Sequence, residues 1–494
     1  MKRADIIQTL NLEQKCALLS GETVFTTRAL PGKGIPAITL SDGPNGVRKQ
    51  AGAADHLGLN PSVPATCFPT SSATACSWDE KLGEAVGEAL GEEAAAQEVA
   101  VLLGPGLNIQ RSPLCGRDFE YFSEDPILAG RMAAAYVRGI QKNGIAACPK
   151  HFAVNSQELR RMASDSVLDE RTLRELYLTG FEIVVKEAKP KTIMTSYNLI
   201  NGTYANENAH LLQDILRKDW GFDGAVVTDW GGSNDHALGV KNGSTLEMPC
   251  PGGDSIRELM KAVQDGKISE ADVDARLDEM LELVLSTHAA VEKAPRTFDA
   301  AAHHKLARRA AAESIVLLRN EGGILPLKPN EKLAVIGDFA ETPRYQGAGS
   351  SAVNALQVDT LLDSIKADDS GITFVGYASG FERQGAADAE KLEEAVALAK
   401  KADTVLLCLG LDELRESEGL DRADMKLAEN QQQLLAAMAA VNPNVVVLLS
   451  AGAPVETPWA GQCRALVYGA LGRTGRGRAC PVRMSAAARR LPVR

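Results

Sequence analysis

The chain alternates apolar runs with amphipathic stretches, and a polar or aromatic side chain follows most of the apolar runs. Runs of small and β-branched apolar residues are typical of buried parallel strands. The side chains placed just past these runs are Asp42, Arg117, Lys150, His151, Tyr197 and Asp229. This alternation predicts either a (β/α) barrel or a doubly-wound sheet, and both collect side chains at the carboxyl ends of their strands.

The clearest of these runs is Gly224 to Val227, which stops at Thr228-Asp229-Trp230 and is followed by a Gly-Gly loop signal. A carboxylate in that position is where barrel and doubly-wound folds place catalytic groups. The alternative is that Asp229 only caps the following helix.

Side chains at one common edge are how a (β/α) barrel assembles a pocket, which favours the barrel. No Gly-rich dinucleotide loop or P-loop lysine motif follows the first strand, which argues against a nucleotide-binding fold. We therefore predict a TIM-like barrel over residues 1–290.

A second strand–helix alternation predicts a smaller α/β sandwich over residues 311–470. Residues 291–310 are predicted to link it to the barrel, and a helix is expected at about 301–319. Two of its loops are candidates for a site: a Gly-rich loop that contains Ser350, and the acidic loop 411–422. Residues 471–494 are rich in arginine and contain no acid, and we interpret them as an aberrant tail that leaves the sandwich incomplete.

Charge and cysteine content restrict the partners and the compartment. The 494-residue chain carries a net charge of −11, which disfavours nucleic acid and anionic membrane as partners. Its nine cysteines are scattered singly without a CxxC pair, as in a reducing compartment, and no histidine has zinc-ligand spacing to them. With no signal-peptide pattern at the N-terminus, we expect the cytoplasm.

Several motifs occur together in one order along the chain. They are Ser41 to Arg48, Leu103 to Ile109, Pro113 to Pro126, Lys150-His151-Phe152, Ser196-Tyr197-Asn198, Val227 to Trp230, and Glu416-Ser417-Glu418-Gly419 with Asp421-Arg422. From about residue 10 to 470 the chain resembles the β-glucosidase group of glycoside hydrolase family 3.

The resemblance implies a retaining hydrolase of β-glycosides or oligosaccharides that works through a covalent glycosyl-enzyme and needs no metal or cofactor. It implies that Asp229 is the nucleophile and Glu418 the general acid/base, delivered by the second domain. The charges of Lys150 and Arg117 are then expected to keep Asp229 ionised. The sugar-binding residues carried over are Asp42, Arg117, Lys150, His151, Arg161, Met194, Tyr197, Trp230 and Ser350.

Other functions fit parts of this pattern. β-Xylosidase or α-L-arabinofuranosidase activity occurs among similar sequences, whereas the Gly-His-Gly signature of the family's hexosaminidases is absent after Phe152. The fibronectin-III-like domain common in relatives is not found in the sequence. A non-catalytic, truncated sugar-binding relative is therefore a further hypothesis. For the assembly, a homo-oligomer is a separate hypothesis.

Overall fold

A computed structural model describes residues 1–52, 60–367 and 371–472. Its first domain is a TIM-like barrel in which hydrogen bonds close a ring of short extended segments. The parallel strands are Leu40–Asp42, Val101–Leu103, Ala146–Ala147, Thr192–Met194 and Ala225–Val227. They are paired in chain order, with a hydrogen bond of 3.0 Å from Met194 to Pro149 joining the third to the fourth.

The N-terminal segment closes the barrel. Ser20 pairs in parallel with Glu247, and Thr26 pairs antiparallel with Thr39 beside the first strand. Gly21 also pairs antiparallel with Thr27, so the ring contains two antiparallel steps, which distinguishes it from an all-parallel eight-stranded barrel. A separate small sheet is formed by Asp165–Ser166, Leu199–Ile200 and Thr203–Tyr204.

Helices surround the barrel, and their apolar faces cover its strands. Helical segments connect the strands at Ser71–Ala75, Glu80–Ala96, Pro126–Gln141, Glu170–Thr172, Leu173–Leu178, Thr179–Ile183, Val184–Ala188, His210–Asp219, His236–Asn242, Asp254–Gln264 and Glu270–Lys293. Short helices at Ala4–Ile7 and Leu12–Ala17 precede the first strand.

The second domain is an α/β sandwich around a six-stranded sheet. The strands in spatial order are Thr373–Ala378, Lys332–Ile336, Thr404–Gly410, Val445–Ser450, Ala465–Tyr468 and Val316–Asn320, the last pair being antiparallel. Its helices are Leu361–Lys366, Ala389–Ala399 and Glu429–Val441. Ala465–Tyr468 is thus an internal strand, and the tail predicted from 471 falls almost wholly outside the described residues.

The stretch expected as a linker at 291–310 is mostly helical. Only residues 294–299 connect Glu270–Lys293 to the helix Ala300–Ser314. The predicted helix 301–319 is wrong at its end, because Val316–Asn320 is drawn into the sheet by pairing with a strand about 150 residues later in the chain. Ala307 and Ala310 belong to the apolar core of the barrel, so this helix fastens the second domain to the first.

Each domain has its own buried core. Val353, from the Gly-rich loop of the sandwich, is buried in the barrel core, and the backbone of Asn354 accepts a 3.0 Å hydrogen bond from Ala65. This loop therefore docks on the carboxyl-end face of the barrel. Among the described residues, no helix has the length and apolar character needed to cross a bilayer.

Candidate active site

The buried carboxylate of Asp229 stands at the carboxyl end of the strand Ala225–Val227. The preceding residue fixes the chain here, because the Thr228 hydroxyl donates to the Met248 carbonyl at 3.0 Å and accepts from the Met248 amide at 2.8 Å. Asp229 Oδ1 accepts the Trp230 amide hydrogen at 2.8 Å, and Oδ2 lies 3.6 Å from His151 Nε2. One carboxylate oxygen is thus held by the backbone and the other faces the neighbouring side chains.

Burial dominates the electrostatics of this carboxylate. It raises the pKa of Asp229 above its ordinary value, although the charges of Arg117, Arg161 and Lys150 act in the opposite direction. The charges of Lys150 and Arg117 act in the direction expected from the sequence, toward the ionised form, but desolvation is the larger effect on the pKa of Asp229.

A chain of buried charges runs beside Asp229. The Glu120 carboxylate lies 2.7 Å from the Arg117 guanidinium and 3.1 Å from Lys150 Nζ, and each of these side chains is at most 2% exposed. Asp42, at the end of the first strand, is half-buried, and burial raises its pKa to about 6 although Lys150 lowers it. Glu120 therefore neutralises much of the charge of the two cations that the resemblance assigned to sugar binding.

His151 is neutral, and its surroundings select one tautomer. Burial lowers the pKa of His151 well below its ordinary value. The Tyr121 hydroxyl accepts from Asn155 at 2.9 Å and lies 3.1 Å from His151 Nδ1, so its proton points at that nitrogen. The ring proton then resides on Nε2 and points toward Asp229, which gives the site a neutral hydrogen-bond donor.

The second carboxylate, Glu418, comes from the sandwich loop after Thr404–Gly410. Its Oε2 accepts the Ser350 amide hydrogen at 2.7 Å, and its Oε1 lies 2.9 Å from Arg161 and 3.5 Å from Arg117. Burial works against ionisation of Glu418, but the two guanidinium charges and the Ser350 hydrogen bond outweigh it and lower the pKa of Glu418. The two arginines that pair with Glu418 are thus the same two whose charges act on Asp229.

Aromatic and apolar side chains form the walls. The Tyr197 hydroxyl donates to the Trp230 carbonyl at 2.9 Å, and the Arg161 guanidinium stacks 4.8 Å from the centre of the Tyr197 ring. The Trp230 ring lies 5.3 Å from that of Phe25. Met194 is buried in the barrel core beneath them.

All eleven residues expected at the site lie in or beside this cluster, and the structure adds others that sequence reasoning did not assign. These are Glu120, Tyr121, Asn155, Glu158 and Asp421. Glu120, Tyr121 and Asp421 lie within the motifs that carried the resemblance, so their position in a motif was the available signal. The residues that these side chains contact lie in other loops, and the sequence alone does not indicate which loops come together.

The arrangement combines two interacting carboxylates with convergent donors. Charged and neutral hydrogen-bond donors surround Asp229 and Glu418. Such donors can bind the hydroxyl groups of a sugar, and a pair of carboxylates can cleave its glycosidic bond. Within the described parts of the chain, no group of three or more His, Cys, Asp or Glu side chains could hold a metal ion. A barrel and a sandwich that each bring a carboxylate to one site are the architecture of two-domain glycoside hydrolases.

Comparison with known proteins specifies the class further. Residues 39–283 match the Glycosyl hydrolase family 3 N terminal domain, and residues 315–482 match the Glycosyl hydrolase family 3 C-terminal domain. The chain belongs to glycosyl hydrolase family 3.

The chain is similar to proteins that are named for two different activities. It is 44% identical to Thermostable beta-glucosidase B of Acetivibrio thermocellus, over 94% of this chain and 62% of that protein. It is also 44% identical to Exo-alpha-(1->6)-L-arabinopyranosidase of Bifidobacterium longum, over 95% of this chain and 63% of that protein. The crystal structure of the Bifidobacterium adolescentis GH3 beta-glucosidase superposes with a TM-score of 0.89 at 42% identity, covering 96% of this chain and 68% of that one. The chain thus spans less than two thirds of the length of these two curated relatives.

Proposed function

We propose that this chain hydrolyses terminal non-reducing β-D-glucosides with retention of configuration, through a covalent glycosyl-enzyme. The observation that supports this most directly is that Glu418 of the sandwich is ion-paired with Arg161 and Arg117 of the barrel, and the charges of the same two arginines also act to lower the pKa of Asp229. The 44% identity to a beta-glucosidase over 94% of the chain supports the choice of substrate. Cytoplasmic residence and a homo-oligomeric state stay predictions from the sequence.

In the proposed reaction, Asp229 Oδ2 attacks the anomeric carbon while the bond to the leaving oxygen breaks. Oδ2 is the attacking atom because Oδ1 is held by the Trp230 amide. Glu418 gives its proton to the leaving oxygen, which departs as an alcohol. A water molecule then gives a proton to Glu418, and the water oxygen displaces Asp229 from the anomeric carbon. Asp229 is again a free carboxylate and Glu418 is again protonated.

The pKa directions set a condition on this sequence of steps. Glu418 must carry a proton for the first step, but its ion pairs with Arg161 and Arg117 favour the ionised form. We infer that productive binding draws Arg161 toward sugar hydroxyls and loosens its 2.9 Å pair with Glu418. Loss of that pair raises the pKa of Glu418 toward the range a general acid requires.

The test is release of nitrophenol from p-nitrophenyl β-D-glucoside by the wild-type chain and by the variants Asp229→Asn and Glu418→Ala. We expect Asp229→Asn to abolish turnover. Glu418→Ala is expected to lose most turnover and to regain part of it with azide, because a small anion can replace the water that Glu418 activates. Glu413→Gln, in the same loop but paired with Arg383 at 3.0 Å, is the matched control and should keep full activity.

A second candidate substrate is favoured by one specific observation, the equal identity to the arabinopyranosidase. The assay is therefore repeated with p-nitrophenyl α-L-arabinopyranoside, β-D-xyloside and α-L-arabinofuranoside. A higher kcat/KM on one of these would assign the pentoside activity in place of the glucosidase. Inactivity of the wild type on all four would favour the non-catalytic sugar-binding alternative.

A further inference from the structure

The loop that carries Glu418 is fastened to the barrel by a carboxylate three residues further along. Asp421 Oδ1 accepts the amide hydrogens of Gly116 at 3.1 Å and Glu158 at 2.9 Å, and Asp421 Oδ2 accepts that of Leu159 at 2.8 Å. These amides belong to two different barrel loops. One side chain of the sandwich thus ties both loops to the sandwich.

A carboxylate of the barrel also binds the loop that carries Glu418. Glu158 Oε2 accepts the Gly419 amide hydrogen at 2.7 Å and lies 2.8 Å from Arg161 Nη1, and the Glu158 side chain is fully buried. The same Arg161 nitrogen is 2.9 Å from Glu418. Glu158 therefore contacts the backbone next to Glu418 and also the cation that faces the Glu418 carboxylate.

We call this exchange the interdomain clasp: the carboxylates of Asp421 and Glu158 with the amides of Gly116, Glu158, Leu159 and Gly419. A further backbone bond of 2.8 Å joins Arg422 to Leu114 just beyond it. The clasp fixes the main chain one and three residues after Glu418. The four amides are held at 2.7 to 3.1 Å from the two carboxylates, so the clasp constrains the loop.

We propose that Asp421 and Glu158 are positioning residues that hold Glu418 at its distance from the reacting bond. The proposal rests on the function proposed above. Neither carboxylate was assigned to sugar binding, and both act through the loop backbone or through Arg161. The expected loss is in proton transfer, because a displacement of about 1 Å at a catalytic group can lower the rate about 100-fold.

The test uses two aryl β-glucosides whose leaving groups differ in basicity. Phenyl β-glucoside needs a proton from Glu418 to expel phenol, whereas 2,4-dinitrophenyl β-glucoside expels a stable phenolate without one. In Asp421→Asn the amide presents an N–H₂ group to backbone N–H donors and breaks part of the clasp. We expect kcat/KM for the phenyl glucoside to fall about 100-fold, and that for the dinitrophenyl glucoside to fall by less than about 5-fold.

Two further readouts separate positioning from general damage. Azide should partly restore turnover of the dinitrophenyl glucoside by Asp421→Asn, as by Glu418→Ala, and yield β-glucosyl azide. Glu158→Gln keeps an acceptor for Gly419 but loses the charge that faces Arg161, and should show the same substrate bias in weaker form. Asp424→Asn, in the same loop with a carboxylate 47% exposed, should show no bias.

The ratio of the two kcat/KM values does not depend on the fraction of folded enzyme, so it stays decisive even if a variant folds poorly. Equal losses on both glucosides in Asp421→Asn, without azide rescue, would overturn the positioning role while leaving the glucosidase proposal intact. A wild-type chain inactive on both glucosides would overturn the proposed function and the positioning role with it.

Discussion

Asp42 is a carboxylate whose environment makes the folded state sensitive to pH. Burial raises its pKa to about 6, against an unfolded value of about 3.9. A raised folded pKa means that the native state binds the proton more tightly. Its stabilising contribution is complete below the unfolded pKa and is lost as the pH rises through 6.

We therefore expect the stability of the wild type relative to Asp42→Asn to decrease between pH 4 and pH 7. The expected change is about 2 kcal/mol, since each pKa unit corresponds to about 1.4 kcal/mol and the side chain is only half-buried. Urea unfolding of both proteins at several pH values measures the difference in their free energies of unfolding. The contributions of the other titrating groups are common to both proteins and cancel in that difference. A difference that does not vary with pH would contradict the assignment.

Glu120 is the residue on which the charge balance of the site depends. Changing it to glutamine leaves the buried cations Arg117 and Lys150 without their shared carboxylate. We expect Glu120→Gln to lower the free energy of unfolding by about 3 kcal/mol, because removing one partner of a buried pair strands the other charge. Thermal and urea unfolding measure this loss.

The matched control for Glu120 is an exposed pair. Glu175 lies 3.0 Å from Arg171 on a helix surface, with both side chains well exposed. Glu175→Gln should change stability by less than about 0.5 kcal/mol, as is usual for surface pairs. Similar effects of the two substitutions would show that Glu120 does not act through buried charge.

Among the loops, the backbones of the two domains approach each other closely at Gly116. A methyl group there would collide with the carbonyl oxygens of Leu420 and Ser417, which are backbone atoms and cannot rotate away. We expect Gly116→Ala to displace the loop that carries Glu418 and to lower kcat on p-nitrophenyl β-glucoside at least about 10-fold. Gly32→Ala is the control, because nothing lies within 4 Å of its added methyl group, and it should leave kcat unchanged.

The elements show which parts of the site can be predicted from sequence. The position of Asp229 at a strand end can be predicted because a buried strand and the residue that ends it are both local features. The pair between Arg161 and Glu418 joins residues 257 positions apart, and no periodicity encodes it. The family resemblance supplies both residues as candidates for the site but does not supply the contact between them.

The direction of the Asp229 pKa could not be predicted for a related reason. Its charged neighbours can be guessed from motifs, but the degree of burial depends on how the two domains close over the carboxylate. The same limit applied to Val316–Asn320, which continues a helical pattern in sequence and becomes a strand through a distant partner. Tertiary contacts decided both outcomes.

At the scale of the whole molecule, the two domains hold each other by several independent attachments. The helix Ala300–Ser314 places Ala307 and Ala310 in the barrel core, Val353 enters the same core from the Gly-rich loop, and Asp421 ties the acidic loop to the barrel. The covalent connection at 294–299 is therefore not needed to keep the domains together. These attachments are those of a stably folded second domain, whereas the non-catalytic hypothesis requires a poorly folded one.

Limited trypsin digestion tests this difference. Lys293 and Arg296 are exposed beside the connection, so we expect an early cut there. The resulting fragments should appear as two bands on a denaturing gel, elute together from a sizing column and keep the glucosidase activity of the uncut chain. Asp421→Asn should weaken the association, because its fragments lose one attachment. Rapid digestion of everything beyond about residue 300, with only the barrel surviving, would instead favour the non-catalytic alternative, since a sheet built around its own buried core protects its strands from proteolysis.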